Sequence, residues 1–230
     1  MDYLWEGMRG AILLIVNFDA EVFDSVGRSL YVSLTATLLA SSAGIPLGFL
    51  IASHEFPGKK ATVTVFNTLL SLPTVVVGLF LYSILSKRGP LGLLDLLFTP
   101  EAMIVGQFIL ATPIIVALAI AAIHAVDPRV RFTALTLGAG SVRTAMTVLA
   151  EARFALMAAV VAGFGRVIAE VGCAIMVGGN IRGYTRTITT GIALETAKGE
   201  FGYGLALGTI LLLVAFSLNI LFHTVQTKGG

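Results

Sequence analysis

Charge is what this chain has least of. Only 12% of its 230 residues are Asp, Glu, Lys or Arg, about half the roughly 25% usual in soluble domains, while 57% are hydrophobic. That balance excludes an ordinary soluble domain, and the long uncharged runs point to an integral membrane protein. The net charge is +2, with the basic residues scattered through loops, which leaves no footprint for nucleic acid. A single cysteine, Cys173, excludes an intrachain disulfide and has no companions at metal-ligand spacing. It reads as a small residue in a packed helix. Catalytic signatures are missing as well: no GxxxxGK phosphate loop, HExxH or GxSxG occurs, so the chain hydrolyses no nucleotide by itself. His54, His124 and His223 stand far apart, each near an expected membrane boundary.

What is present is a set of apolar segments. Five are long enough to cross about 30 Å of hydrocarbon: about Ser29 to Ser53, Ala61 to Ser86, Ala102 to Val126, Phe154 to Val177 and Tyr203 to Phe222. Pro73 and Pro113 lie inside the second and third, where a missing backbone donor predicts a kink or local break. Gly44 with Gly48, and Gly204 with Gly208, are spaced to let a neighbouring helix come close. Residues 1–28 form a separate stretch ahead of a 29–230 membrane domain. In it Tyr3, Leu4, Trp5, Met8, Ile12 and Ile15 recur at helical spacing, predicting an interfacial helix with its aromatics at headgroup level. The apolar run Ala11 to Val16 is too short, and follows Asp2 and Glu6 rather than basic residues, to be a cleavable signal core. Five spans put the termini on opposite sides. With the N-terminus outside, seven Lys and Arg fall in inner loops and seven in outer ones. Only the greater basic density of the shorter inner loops favours that orientation.

Three polar features interrupt the apolar pattern. The longest runs from Asp127 to Arg153, DPRVRFTALTLGAGSVRTAMTVLAEAR, with four arginines. Thr133 to Leu137 reads as helix, Gly138, Gly140 and Ser141 as a break, and Val142 to Leu149 as the start of a second helix. The result is a knob of fixed shape, suited to docking into a soluble partner. The second feature is Arg166 and Glu170, one helical turn apart inside the fourth segment. An unpaired charge there costs at least about 2.5–3.5 kcal/mol. The two therefore pair or face water, either fixing helix packing or bracing a translocation path. The third is the stretch Gly178 to Thr190, GGNIRGYTRTITT, read as part of a polar loop reaching Phe201. Its Asn180, Arg182, Arg186 and hydroxyls are donors suited to a tetrahedral oxyanion.

The interruption resembles the cytoplasmic coupling motif of ABC-importer permeases, in which EAA, three residues, G and a later LP recur. From Ala134, ALTLGAGSVRTAMTVLAEARFAL matches its middle, with Ala134, Leu137, Gly138 and Ala139 on the helix-and-glycine core. Two positions depart from it. Phe132 stands where the motif has glutamate, with Arg131 or Asp127 as neighbouring polar stand-ins, and Leu149-Ala150 replace Leu-Pro. The resemblance continues through Gly163 to Glu195, where the chain is similar to the molybdate/tungstate branch and most like the short, five-span tungstate-uptake type.

The resemblance implies an all-α integral membrane protein with the type I importer (molybdate/methionine permease-like) fold. Two copies would share a pathway on a two-fold axis in a prokaryotic inner membrane, with the N-terminus outside and the C-terminus cytoplasmic. Two separate ABC ATPase subunits, which carry the ATP and Mg, would grip the 127–153 loop at Arg131, Phe132, Thr133, Ala134, Leu137, Gly138, Ala139 and Arg143. An extracytoplasmic binding protein would deliver the anion, tungstate, to a pathway in which Arg166, Glu170, Asn180, Arg182 and Arg186 are candidates. No metal site or cofactor is expected in the chain itself. The readings set against this are a permease for molybdate, sulfate, phosphate or an amino acid, an ATP-independent channel, an intramembrane enzyme and a structural anchor.

Overall fold

The computed structural model describes residues 2–17 and 19–228, without the side chains of 2–4, 6, 11, 221–223 and 225–228. Every long element in it is a helix. A first helix, α1 (Asp2–Val16), packs along the last, α11 (Phe201–Lys228). Trp5, Met8 and Ile12 stay exposed on its free side, while the expected headgroup placement of Tyr3 falls outside the described side chains. Asp19 caps α2 (Ala20–Ser53) by accepting the Val22 N–H at 3.0 Å. At 34 residues α2 is longer than a span needs and runs straight through the expected start at Ser29. Ser25, Ser29, Ser33 and Thr37 recur every fourth residue along its buried side. Ser29 and Thr37 turn their hydroxyls back to the carbonyls of Ser25 and Ser33, which lets polar side chains sit among packed helices.

The glycines of α2 fix its partner. A Cβ at Gly44 would meet Ile115 at 3.1 Å, and one at Gly48 would meet Ala119 at 2.7 Å. Both glycines face α5 (Pro100–His124), as their spacing predicts. The offset between glycine and partner is the same in both pairs, so α2 and α5 run in the same direction. The chain between them has to return, and it does so in two pieces, α3 (Lys59–Leu69) and α4 (Thr74–Leu85). These meet at 97° with Pro73 at the corner. Pro113, by contrast, leaves α5 a single helix.

Beyond α5 come α6 (Pro128–Thr136), α7 (Ser141–Glu151), α8 (Arg153–Ile168), α9 (Gly172–Gly178) and α10 (Ile188–Lys198). Among the described residues three helices, α2, α5 and α11, are long and apolar enough to cross a membrane, or up to five spans if the bent pairs α3–α4 and α7–α8 count as one each. The fourth apolar segment is not continuous: it breaks after Ile168 and resumes at Gly172. The stretch Gly178 to Phe201 is likewise not all loop. Thr187 accepts the Thr190 N–H while Thr190 returns a bond to the Thr187 N–H, and this capping box starts α10. Gly204 and Gly208 give α11 a flat side, against which Thr196 and Ile192 of α10 pack. The central core joins Val32 and Ala36 of α2, Val77 and Leu81 of α4, Met103 and Leu110 of α5, and Cys173 and Val177 of α9.

Candidate functional site

The hairpin α6–α7 is built by short-range rules. Asp127 accepts the Arg129 N–H at 2.8 Å, and Pro128 fills the first helical position, where no donor is needed. The expected helix therefore begins earlier, at Pro128. It closes when Gly138 takes φ +83°, a left-handed conformation that glycine adopts at no steric cost. The Gly138 N–H bonds Leu135 O and the Ala139 N–H bonds Ala134 O, each at 3.0 Å. Ser141 belongs to the second helix rather than the break, because Gly140 is the cap that precedes it.

Ala134 is buried in the crook of the hairpin and Ala139 is half-buried, while Arg131, Phe132, Thr133, Leu137, Gly138 and Arg143 are exposed. Leu137 is 82% exposed, and Phe132, Val142 and Met146 are exposed with it, while Leu135 is exposed toward the cavity behind the hairpin. Large apolar side chains left exposed together on a polar hairpin form a ridge of the kind that contacts another surface. Behind it, Val148 is buried, and Leu149 packs into the cluster of Ala119, Ala122, Ala152 and Leu156 that ties α7 to α5 and α8. A half-open cavity of about 350 Å³ separates the hairpin from the ends of α2 and α5. His54, His124, Asp127 and Arg131 line it. Next to it Lys59 donates to Glu55 at 2.8 Å, and that bond and charge hold the Glu55 carboxyl below its usual range. Of the polar stand-ins for the motif glutamate, Asp127 is thus engaged as a helix cap, and Arg131 faces the cavity.

The pair Arg166–Glu170 forms as its spacing predicts, Nη1 to Oε2 at 2.8 Å. It sits at the break between α8 and α9, not on an unbroken helix. Glu170 Oε1 accepts the Cys173 N–H at 3.0 Å, capping the first turn of α9, and its carbonyl accepts the Thr189 hydroxyl at 2.8 Å. Glu170 is 3% exposed, and the Arg166 side chain is 38% exposed. Close approach on all sides explains the small residues here. A Cβ at Gly106 would meet Cys173 Sγ at 2.6 Å, one at Gly78 would meet Cys173 Cα at 2.9 Å, and one at Gly172 would meet Val75 at 2.8 Å.

Asn180, Arg182 and Arg186 lie together in a tight loop after α9, apart from Arg166 and Glu170 in the chain but linked to them through Thr189. Three successive N–H groups, of Tyr184, Thr185 and Arg186, converge on Ile181 O. Thr185 accepts the Ile181 N–H and donates to Gly178 O, and Asn180 donates to Thr190 O at 3.1 Å. Both arginines are already occupied: Arg182 donates to Glu21 Oε2 at 2.5 Å and Arg186 to Glu21 Oε1 at 2.7 Å. Glu21 is the residue that sequence reasoning missed. It lies in the first turn of α2, between the acidic residues Asp19 and Asp24, yet nothing local points to partners more than 160 residues away.

Compared with known proteins, residues 44–228 match the family model described as "Binding-protein-dependent transport system inner membrane component". The Campylobacter jejuni protein named "Tungstate uptake system permease protein TupB" is 43% identical over 98% of this chain and 95% of its own length. Its namesake in Peptoclostridium acidaminophilum is 38% identical over 99% and 100%. Among solved structures, the inward-facing MetNI methionine ABC transporter superposes with a TM-score of 0.66 at 16% identity, covering 90% of this chain and 93% of that one.

Proposed function

The chain belongs to the family of binding-protein-dependent transport system inner-membrane components, and from that premise we propose that it carries a tetrahedral oxyanion, tungstate, through the membrane. As a permease of an ABC importer it is a multi-pass inner-membrane subunit. It is non-catalytic and takes no cofactor of its own; the ATPase is a separate subunit, and a binding protein is a further partner. The cargo comes from two relatives of about 40% identity, matched over nearly the full length, that are named for tungstate uptake.

The observation that carries the mechanism is the exposed apolar ridge of a hairpin whose backbone is fixed and whose rear is bolted to α5 and α8. In this reading 127–153 is the coupling loop of a 29–230 permease domain, with 1–28 ahead of it. Arg131, Phe132, Thr133, Ala134, Leu137, Gly138, Ala139 and Arg143 form or support the surface that the ATPase grips. When the ATPase dimer closes, the hairpin moves with it and swings α8 and α5, so access alternates between the two sides. Two copies form the pathway around a two-fold axis, with the hairpin cytoplasmic, the N-terminus outside and the C-terminus inside. Arg166 and Glu170 shape the gate. Glu170 would repel an anion at its own level, so its task is to hold Arg166 and cap α9. Asn180, Arg182 and Arg186 stand near the outer mouth.

The test is reconstitution of the chain with its ATPase and binding protein in liposomes. Tungstate should be taken up only with ATP, and the tungstate-loaded binding protein should stimulate hydrolysis. Stimulation by molybdate or sulfate alone would reassign the cargo, and tungstate flux without ATPase would make the chain a channel.

A further inference from the structure

Because α2 and α5 run the same way and the hairpin follows the end of α5, the start of α2 lies at the opposite end of the bundle. There Glu21 accepts one arginine on each carboxylate oxygen: Arg182 at 2.5 Å on Oε2 and Arg186 at 2.7 Å on Oε1. A strap joining the start of α2 to the loop would need only one arginine. The second leaves the trio with an excess positive charge. Arg186 also holds a donor in reserve: its side chain is 13% exposed, and its Nε–H is buried with no acceptor among the described residues. Its stem is fixed, lying beside Gly191 in the first turn of α10. Two guanidiniums closing on a pair of oxygens is the geometry that selects carboxylates and oxyanions alike.

We propose that Glu21 is a built-in stand-in for the cargo: its carboxylate occupies the oxyanion's place between Arg182 and Arg186, and the arriving anion displaces it. The inference rests on the oxyanion reading given above. A tetrahedral dianion brings four oxygens and twice the charge, enough to engage both guanidiniums and the idle Arg186 Nε–H. Glu21 is free to yield, because it lies in the first turn of α2 with part of its side chain in contact with solvent. It is also driven back. Asp19 lies two residues before it and Asp24 three after, and Asp24 Oδ2 approaches Gly183 of the same loop. A displaced Glu21 therefore enters a field of like charge. The displaced state is costly, so the anion is held weakly, as a pathway that must release its cargo requires. In the empty permease both arginines are engaged by Glu21 and do not collect stray anions.

The test uses the purified permease–ATPase complex without binding protein, titrated calorimetrically with sodium tungstate, with thermal unfolding followed for each variant. Removing the competing charge by Glu21→Gln should tighten tungstate binding by about tenfold or more. Glu21→Asp, which keeps the charge, should stay near the wild type, and adding Arg182→Gln and Arg186→Gln to Glu21→Gln should abolish the gain. A Glu21→Gln complex that melts like the wild type and binds no better overturns the proposal, as does a gain that survives loss of both arginines. Should Glu21→Gln fail to assemble, the wild type still answers. Tungstate should raise carbodiimide labelling of Glu21 several-fold, and unchanged labelling overturns the displacement. If tungstate-loaded binding protein does not stimulate the wild-type ATPase, the tungstate assignment itself has failed. If it does and Glu21→Gln is silent, only the stand-in falls.

Discussion

The hairpin at 128–151 and the helix break at 169–171 solve opposite problems. The hairpin keeps its apolar side chains exposed and is shaped by its backbone: a capped start, two turn bonds and one left-handed glycine. The break hides a charge and is shaped by side chains: one carboxylate held by a guanidinium and a backbone N–H, with a hydroxyl on the carbonyl of the same residue. A surface that passes force to another subunit needs a fixed outline and little internal support. An ion buried among helices needs every bond satisfied. Substitutions in the first region should therefore damage transport and spare the fold, and substitutions in the second should damage both.

The strongest challenge to that contrast is Gly138→Asp. Nothing lies within 4 Å of the space a side chain would enter there. The cost inside the chain is only the roughly 1–2 kcal/mol of a left-handed residue. Yet the carboxylate is thrust into the apolar ridge. ATP-driven uptake should be abolished and ATPase co-purification lost, while membrane insertion and the unfolding temperature stay close to wild type. Normal uptake would remove the coupling assignment. Next in size is Glu170→Ala, which strands Arg166 and uncaps α9. Breaking a fully buried pair from one side costs about 3–5 kcal/mol; Arg166 is 38% exposed and keeps part of its hydration, so the cost falls below that range and is read as a fall in unfolding temperature in detergent. Glu170→Gln keeps an acceptor for the Cys173 N–H and should disturb transport more than expression. Lost folding alone in that variant would mean that the pair serves packing only. Leu137→Ala sharpens the other side of the comparison. Trimming an anchor at the centre of an interface costs about 1–2 kcal/mol, so ATPase affinity should fall about tenfold with no change in permease stability.

The two regions also differ in how far they could be read in advance. The hairpin is legible because its determinants are neighbours: Asp127 and Pro128 start it, Gly138 turns it, and exposed Leu137 sits one residue away. The same holds for Gly44 and Gly48, whose spacing announced the close approach of a neighbouring helix, though not which one. Arg166 and Glu170 were legible as a pair, but the break that holds them was not. Its third tie, Thr189, is 19 residues further on, and an apolar run with small residues gives no sign of where its backbone stops. Helix α10 was hidden for a related reason. Threonine and glycine in its first turns are weak helix formers, and its support comes from the capping box and from the flat side of α11. The Glu21 clamp is the extreme case, an ion pair across more than 160 residues: its arginines stand out as anion donors, but Glu21 looks like an ordinary solvated charge.

Thr189→Val is the smallest change that separates packing from motion at the break. Valine matches threonine in shape but cannot donate, so the Glu170 carbonyl loses its hydroxyl partner while Glu170 keeps Arg166 and Cys173. A buried hydrogen bond of this kind contributes about 1 kcal/mol; the Thr189 hydroxyl also meets that of Thr187 at 3.1 Å, and Thr187 keeps Thr190 as a partner when that contact goes. If the break is a static splice, the variant should unfold a few degrees lower and transport at nearly the wild-type rate. If α9 and α10 shift against each other as access alternates, this bond is present in one state and absent in the other, and its loss changes their balance. A shift of about 1.4 kcal/mol alters an equilibrium tenfold, so a bond worth about 1 kcal/mol alters it several-fold. Basal ATPase activity without binding protein, which reports that balance directly, should then rise or fall several-fold while the fold holds.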